Sequence, residues 1–96
     1  HGITATAPGF YAPQDRHVRI APTIQDLNER LASFRYGGCI LTNLEMETSA
    51  IYGLSSIMGH NALTVCLIIA NRPTGQFLND YHAPMQELIE KVVARF

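Results

Sequence analysis

The stretch CILTNLEMETSAIYGLSSIMG, residues 39–59, decides how the chain is read. Cys39, Ile40, Leu41 and Thr42 form an apolar, β-prone run, the pattern of a buried strand. From Ala50 the period changes. Ala50, Ile51, Leu54, Ile57 and Met58 share one face of a helix, and Gly59 is placed to cap its end. Asn43 to Glu47 link the two patterns. Glu45 and Glu47 stand two residues apart, so on a helix they would point to different sides. Carboxylates at such a link have two readings. They are first-turn acids favoured by the positive end of a helix, or they serve a site at the end of a strand.

The flanking segments extend the alternation. Residues 3–7 are β-prone and stop at Pro8-Gly9, a turn signal. Residues 10–17 have loop composition, and Val18 to Ile20 read as a short edge strand. Pro22-Thr23 starts a helix, with Thr23 and Asp26 resembling a capping box. Ile24, Leu27, Leu31 and Phe34 give that helix its apolar side, and Gly37-Gly38 ends it. Residues 62–70 form a continuous apolar run, as in a central strand covered on both faces. Residues 71–75 are a loop. Pro84 opens a last helix, with Met85, Leu88, Ile89, Val92, Val93 and Phe96 on its buried side. The order is strand, loop, helix, strand, helix, strand, helix, which predicts α/β with a layered sheet. Three loops, 8–16, 43–47 and 71–75, occupy strand ends and hold most of the polar residues of interest.

Bulk properties narrow the function. The chain has 96 residues, 47% hydrophobic and 16% charged, enough apolar material for a core in one domain or part of one. Net charge is −1 and no basic run stands out, which argues against nucleic-acid binding. No stretch approaches the ~18 apolar residues of a membrane span. Cys39 and Cys66 lie inside apolar runs and fit a reducing compartment, so the expected location is cytoplasmic. No Cys or His spacing marks a metal site. His1 is not a methionine, and the chain opens inside a strand pattern. The expectation is a C-terminal portion of a longer protein.

The segments TATAPGFYAPQDR, TNLEMETSAIYGL and ALTVCLIIANR, taken together, resemble the C-terminal half of the uridine phosphorylases, within the wider nucleoside phosphorylase family. The resemblance runs over nearly all of the chain. The Glu-Met-Glu segment marks the wider family, and the Phe-Tyr-x-x-Gln-x-Arg loop points to a uracil site. The implied fold is a three-layer αβα domain, of which residues 1–96 would be the C-terminal part. The implied reaction is reversible phosphorolysis of uridine to uracil and ribose 1-phosphate, a glycosyl transfer with phosphate as co-substrate and no other cofactor.

By the same resemblance, Glu47 holds the ribose hydroxyls and Met46 packs against the sugar. Gln14 and Arg16 recognise uracil, Phe10 lies against the nucleoside, Ile69 lines the base pocket and Arg72 supports the uracil network. Glu47 and Arg16 are the expected catalytic pair. Glu45 is counted with the substrate-binding residues, shaping the site through its backbone or a bond one step removed from substrate. The family assembles as oligomers, so a homo-oligomer is expected. Its phosphate site, and the residue that closes the ribose site from a neighbouring subunit, lie mainly in an N-terminal half without counterpart here. Ala70 departs from the purine branch, which has an acidic residue there. Two rivals follow. One is a nucleosidase of the same superfamily, which uses water in place of phosphate. The other is a non-catalytic fragment that associates with itself or with its missing half.

The chemistry explains the residue types. A carboxylate accepts two hydroxyl hydrogen bonds and so pins a ribose. Uracil presents one N–H between two carbonyls, which a glutamine amide and an arginine can match. Donors aimed at those carbonyls also stabilise the charge that builds as the base leaves. Taken singly, each residue also has a plainer reading. Met46 would be core, Phe10 a loop anchor, Gln14 and Arg16 solvated loop residues, and Arg72 the partner of a nearby acid.

Overall fold

The computed structural model describes residues 2–96. Among them it is mixed α/β, with small sheets and three helices. The chain divides into two compact units between Leu63 and Thr64.

The first unit is built on a parallel pair. Strand β1 (Ile3–Thr6) runs beside β3 (Cys39–Glu45), with Thr4 opposite Asn43, Ala5 opposite Leu44 and Thr6 opposite Glu45. The register slips between Ile3 and Thr4. The Ala7 N–H continues the pairing to the Glu45 carbonyl at 2.8 Å, and Ala7 is buried. Parallel neighbours require a crossover, and helix α1 (Leu27–Ser33) lies within it, packed on β3. Strand β3 therefore runs three residues further than the sequence pattern predicts. Pairing with β1 draws Asn43, Leu44 and Glu45 out of the expected loop and into the sheet.

Two other expectations are corrected in this unit. The helix predicted from Thr23 starts at Leu27, because Asp26 takes a left-handed φ of 54° that breaks a helical run, and no side-chain cap forms. Gly37-Gly38 does not end that helix. Phe34 is already extended, and the glycines, at φ of 55° and 77°, turn the hairpin between β2 (Arg35–Tyr36) and β3. Two successive positive φ values are what a tight two-residue hairpin turn demands, hence Gly-Gly. Residues 18–20 form a bend and not an edge strand. Helix α2 (Thr48–Met58) follows β3 after a two-residue bend and ends at Gly59, whose φ of 72° matches the predicted cap.

The run expected as a central strand forms no ladder over residues 62–69. A strand covered on both faces needs neighbouring strands along its length, and no strand ladder forms with this segment among the described residues. Only its end is used. Ala70 enters a small hairpin, β4 (Ala70–Asn71) against β5 (Gln76–Phe77), turned at Gly75 with φ of 67°. Helix α3 (His82–Val93) carries Pro84 in its first turn, as expected. Met85, Leu88 and Val92 are half-buried on it, whereas Ile89, Val93 and Phe96, expected on the same side, are exposed. Lys91 and Glu87 pair one turn apart on its exposed side.

Candidate functional site

Because β1 and β3 are parallel neighbours, the chain leaves both at the same edge of the sheet. Residues 7–16 leave β1 there, and Met46 and Glu47 leave β3 there. Six of the residues singled out in the sequence thus belong to one edge or the loops that leave it: Phe10, Gln14, Arg16, Glu45, Met46 and Glu47.

The loop after β1 is ordered by Arg16. Its guanidinium carbon sits 3.5 Å from the centre of the Phe10 ring, a cation–π stack. The same group donates to the Phe10 carbonyl at 2.5 Å and to Gln14 Oε1 at 2.8 Å. Gln14 ends a 3-10 turn over Ala12–Gln14 and is 5% exposed. Asp15 follows in the left-handed conformation, at φ of 59°, which reverses the chain and brings Arg16 back over Phe10. Phe10 stays 51% exposed and meets the Tyr11 ring edge-on at 5.4 Å. The arrangement is an open aromatic face beside a fixed cation and a buried amide whose oxygen is oriented by that cation.

At the end of β3 the two glutamates part. Glu45 Oε1 accepts the Thr6 hydroxyl at 2.5 Å. Its Oε2 accepts the N–H groups of Glu47 and Thr48, each at 2.7 Å. Partial burial pushes the Glu45 carboxyl up, but these bonds outweigh it and bring its pKa from the ordinary 4.5 down to about 2. Glu45 is therefore an ionised cap on the start of α2, supplied from the neighbouring strand end. Glu47 occupies the N-cap position, is exposed, and makes no side-chain cap bond. Its carboxylate has no hydrogen-bond or ion-pair partner among the described residues. Met46, between them, is 38% exposed. Thr6 lies inside the TATAPGFYAPQDR segment, but sequence reasoning gives it no role. The signal that finds it is its register partner, Glu45, 39 residues away.

Ile69 and Arg72 belong to the second unit. The Ile69 carbonyl accepts the Leu78 N–H at 2.8 Å, just ahead of the β4–β5 hairpin. Arg72 is half-buried in the hairpin turn, where its carbonyl accepts the Gly75 N–H.

An apolar cavity of about 390 Å³ lies between β1, the 3-10 turn and α1, lined by Ala5, Ala7, Pro13, Ile24, Leu27 and Leu44 among others. None of the six candidate residues of this unit lines it. Among the described residues, no group of three His, Cys, Asp or Glu side chains is placed to hold a metal ion. No helix among them is long and apolar enough to cross a membrane.

The uridine phosphorylase of Thermococcus kodakarensis is 35% identical to this chain over 79 residues, 79% of this chain and 27% of that protein. The chain thus spans 27% of the length of the curated relative it matches. No family model matches the chain, and no solved structure matches it. The similarity supports the resemblance at the level of the family and does not single out a member of it.

Proposed function

We propose that this chain supplies the base and ribose sites of a nucleoside phosphorylase that acts on uridine. The reaction is reversible phosphorolysis to uracil and ribose 1-phosphate, with phosphate as co-substrate. The observation that carries the reading is the shared sheet edge. It brings the loop with Phe10, Gln14 and Arg16, and the exposed carboxylate of Glu47, which has no partner among the described residues, out of two adjacent parallel strands.

In this reading Glu47 accepts both ribose hydroxyls, and Met46 packs on the sugar. That fixes the anomeric carbon for in-line attack by phosphate. Phe10 offers its face to the nucleoside. Gln14 and Arg16 bond the uracil amide and carbonyl groups. Arg16 gains on the transition state, since its charge faces the oxygens onto which the leaving base spreads its own. Ile69 lines the base pocket and Arg72 supports the uracil network. Glu45 serves the substrate through the backbone that it caps. We further infer a three-layer αβα domain of which residues 1–96 are the C-terminal part, working in the cytoplasm as a homo-oligomer. The phosphate-binding groups belong to the rest of the longer protein.

The test is uracil release from uridine by the full-length protein, with and without phosphate, with inosine and thymidine as competitors. Phosphate-dependent release with uridine preferred supports the reading. Release that ignores phosphate makes the protein a nucleosidase, and a preference for inosine moves it to the purine branch.

A further inference from the structure

The Thr6 hydroxyl joins three elements. It stands at the end of β1, donates to Glu45 Oε1 at the end of β3, and accepts the Ser49 N–H in the first turn of α2 at 3.1 Å. A hydroxyl has one proton to give and lone pairs to receive, so both bonds hold together. With the two N–H groups taken by Glu45 Oε2, three successive backbone donors, those of Glu47, Thr48 and Ser49, are bound by side chains from two strand ends.

This has a consequence for Glu47. A capping side chain at this position, usually Ser, Thr, Asp or Asn, accepts the second or third N–H of its helix. Here the second, that of Ser49, is already occupied by Thr6, and Glu47 makes no such bond. Its carboxylate stays available.

We propose that Thr6 is a positioning residue for Glu47. Directly through Ser49 and indirectly through Glu45, it fixes the first turn of α2 and relieves Glu47 of capping its own helix, leaving that carboxylate for the substrate hydroxyls. The inference rests on the reading of Glu47 as the ribose-binding group. The depressed pKa of Glu45 agrees with it, since an ionised carboxylate accepts all three bonds at neutral pH.

The experiment uses the full-length protein with Thr6→Val, Thr6→Ser, Glu47→Gln and the double variant Thr6→Val/Glu47→Gln. Valine keeps the β-branched shape and removes both bonds, whereas serine keeps the hydroxyl. Calorimetry with uridine and with uracil separates the ribose from the base. Thr6→Val should weaken uridine about 10- to 100-fold, the scale of a misplaced substrate-holding group. Uracil binding should be unchanged, and Thr6→Ser should bind both ligands as the parent does. In the Glu47→Gln background, Thr6→Val should cost nothing more, because interacting residues are not additive. Equal losses for uridine and uracil, or additive losses, would overturn the proposal. Amide exchange at residues 47–49 reads the positioning without any ligand. Faster exchange in Thr6→Val supports it, and unchanged exchange overturns it even if the parent protein fails to bind uridine, a failure that would by itself refute the proposed function. Thr6→Ala takes the place of Thr6→Val, with the same expectations, should the valine variant not fold.

Discussion

The Arg16 guanidinium lies 3.5 Å from the centre of the Phe10 ring while bonding Gln14 Oε1 at 2.8 Å, so one side chain sets the positions of two others. Lysine cannot replace it. An ammonium lacks the planar guanidinium that lies over the Phe10 ring. In the full-length protein Arg16→Lys should weaken both uridine and uracil. Loss of the stack is worth about 0.5–2 kcal/mol, or roughly 2- to 30-fold in affinity. Titration calorimetry with each ligand checks it, and parental affinity for both would separate Arg16 from base recognition.

Glu47→Ala tests the other half of the site. Exposed residues outside special features change stability by about 0.5 kcal/mol or less. A group that holds the reacting sugar costs about 100-fold or more in rate when it is lost. Steady-state phosphorolysis beside a melting curve should therefore show a large fall in kcat/KM and a nearly unmoved Tm. Near-normal turnover in a stable variant would remove Glu47 from the site.

Glu45 predicts an acid-labile start to α2. Its pKa is about 2 in the folded chain against an ordinary 4.5. A carboxyl depressed on folding stabilises the ionised, native form. That contribution is complete above about pH 5 and is lost as the pH falls from 4.5 towards 2. Allowing for its partial exposure to solvent, it amounts to about 1–2 kcal/mol. Denaturant melts of the full-length protein between pH 6 and 2.5 should show it, and Glu45→Gln should flatten the dependence across that window. An identical slope in the variant would mean that other carboxyls carry the acid response.

The 96 residues purified alone should release no uracil from uridine and phosphate. A phosphate cradle needs several cations or backbone donors at one point. Of the seven Lys and Arg residues, Arg16 is engaged with Phe10 and Gln14, and Arg72 is assigned to the base. Arg30 and Lys91 sit on helices, Arg35 in β2, and Arg95 just beyond α3. Only Arg19 is left near a loop, and a single arginine makes a poor phosphate site. A radiolabelled uracil-release assay at high protein concentration, after mass spectrometry excludes full-length contaminant, decides the matter. Robust turnover would refute this placement of the phosphate groups.

What the sequence made legible follows from period and end signals. The helix over 48–58 and its cap at Gly59 were readable because five apolar positions and a glycine all agree. The helix over 82–93 was readable because Pro84 and the apolar spacing from Met85 to Val93 agree. The Gly37-Gly38 hairpin was not, because a glycine pair after a helical pattern serves a cap and a tight turn equally well. The missing ladder over 62–69 was not either, since composition shows that a segment prefers extended structure but not whether a neighbour exists to bond it. Within the candidate site, the loop carrying Phe10, Gln14 and Arg16 was legible as a loop at a strand end, while the Thr6–Glu45 pair was not. It depends on a parallel register between segments 39 residues apart, which no local pattern encodes.

The run at 62–69, which forms no strand ladder among the described residues, also bears on how the chain behaves in a crowded solution. From Asn61 to Asn71 it has no charge, no proline and no glycine, and it is rich in Leu, Val and Ile. Such a segment lacks the gatekeeper residues that keep exposed strands from stacking into cross-β fibrils. Among the described residues no strand ladder covers its backbone, and an identical segment of another molecule can form one. Such pairing is intermolecular, so its extent rises with protein concentration.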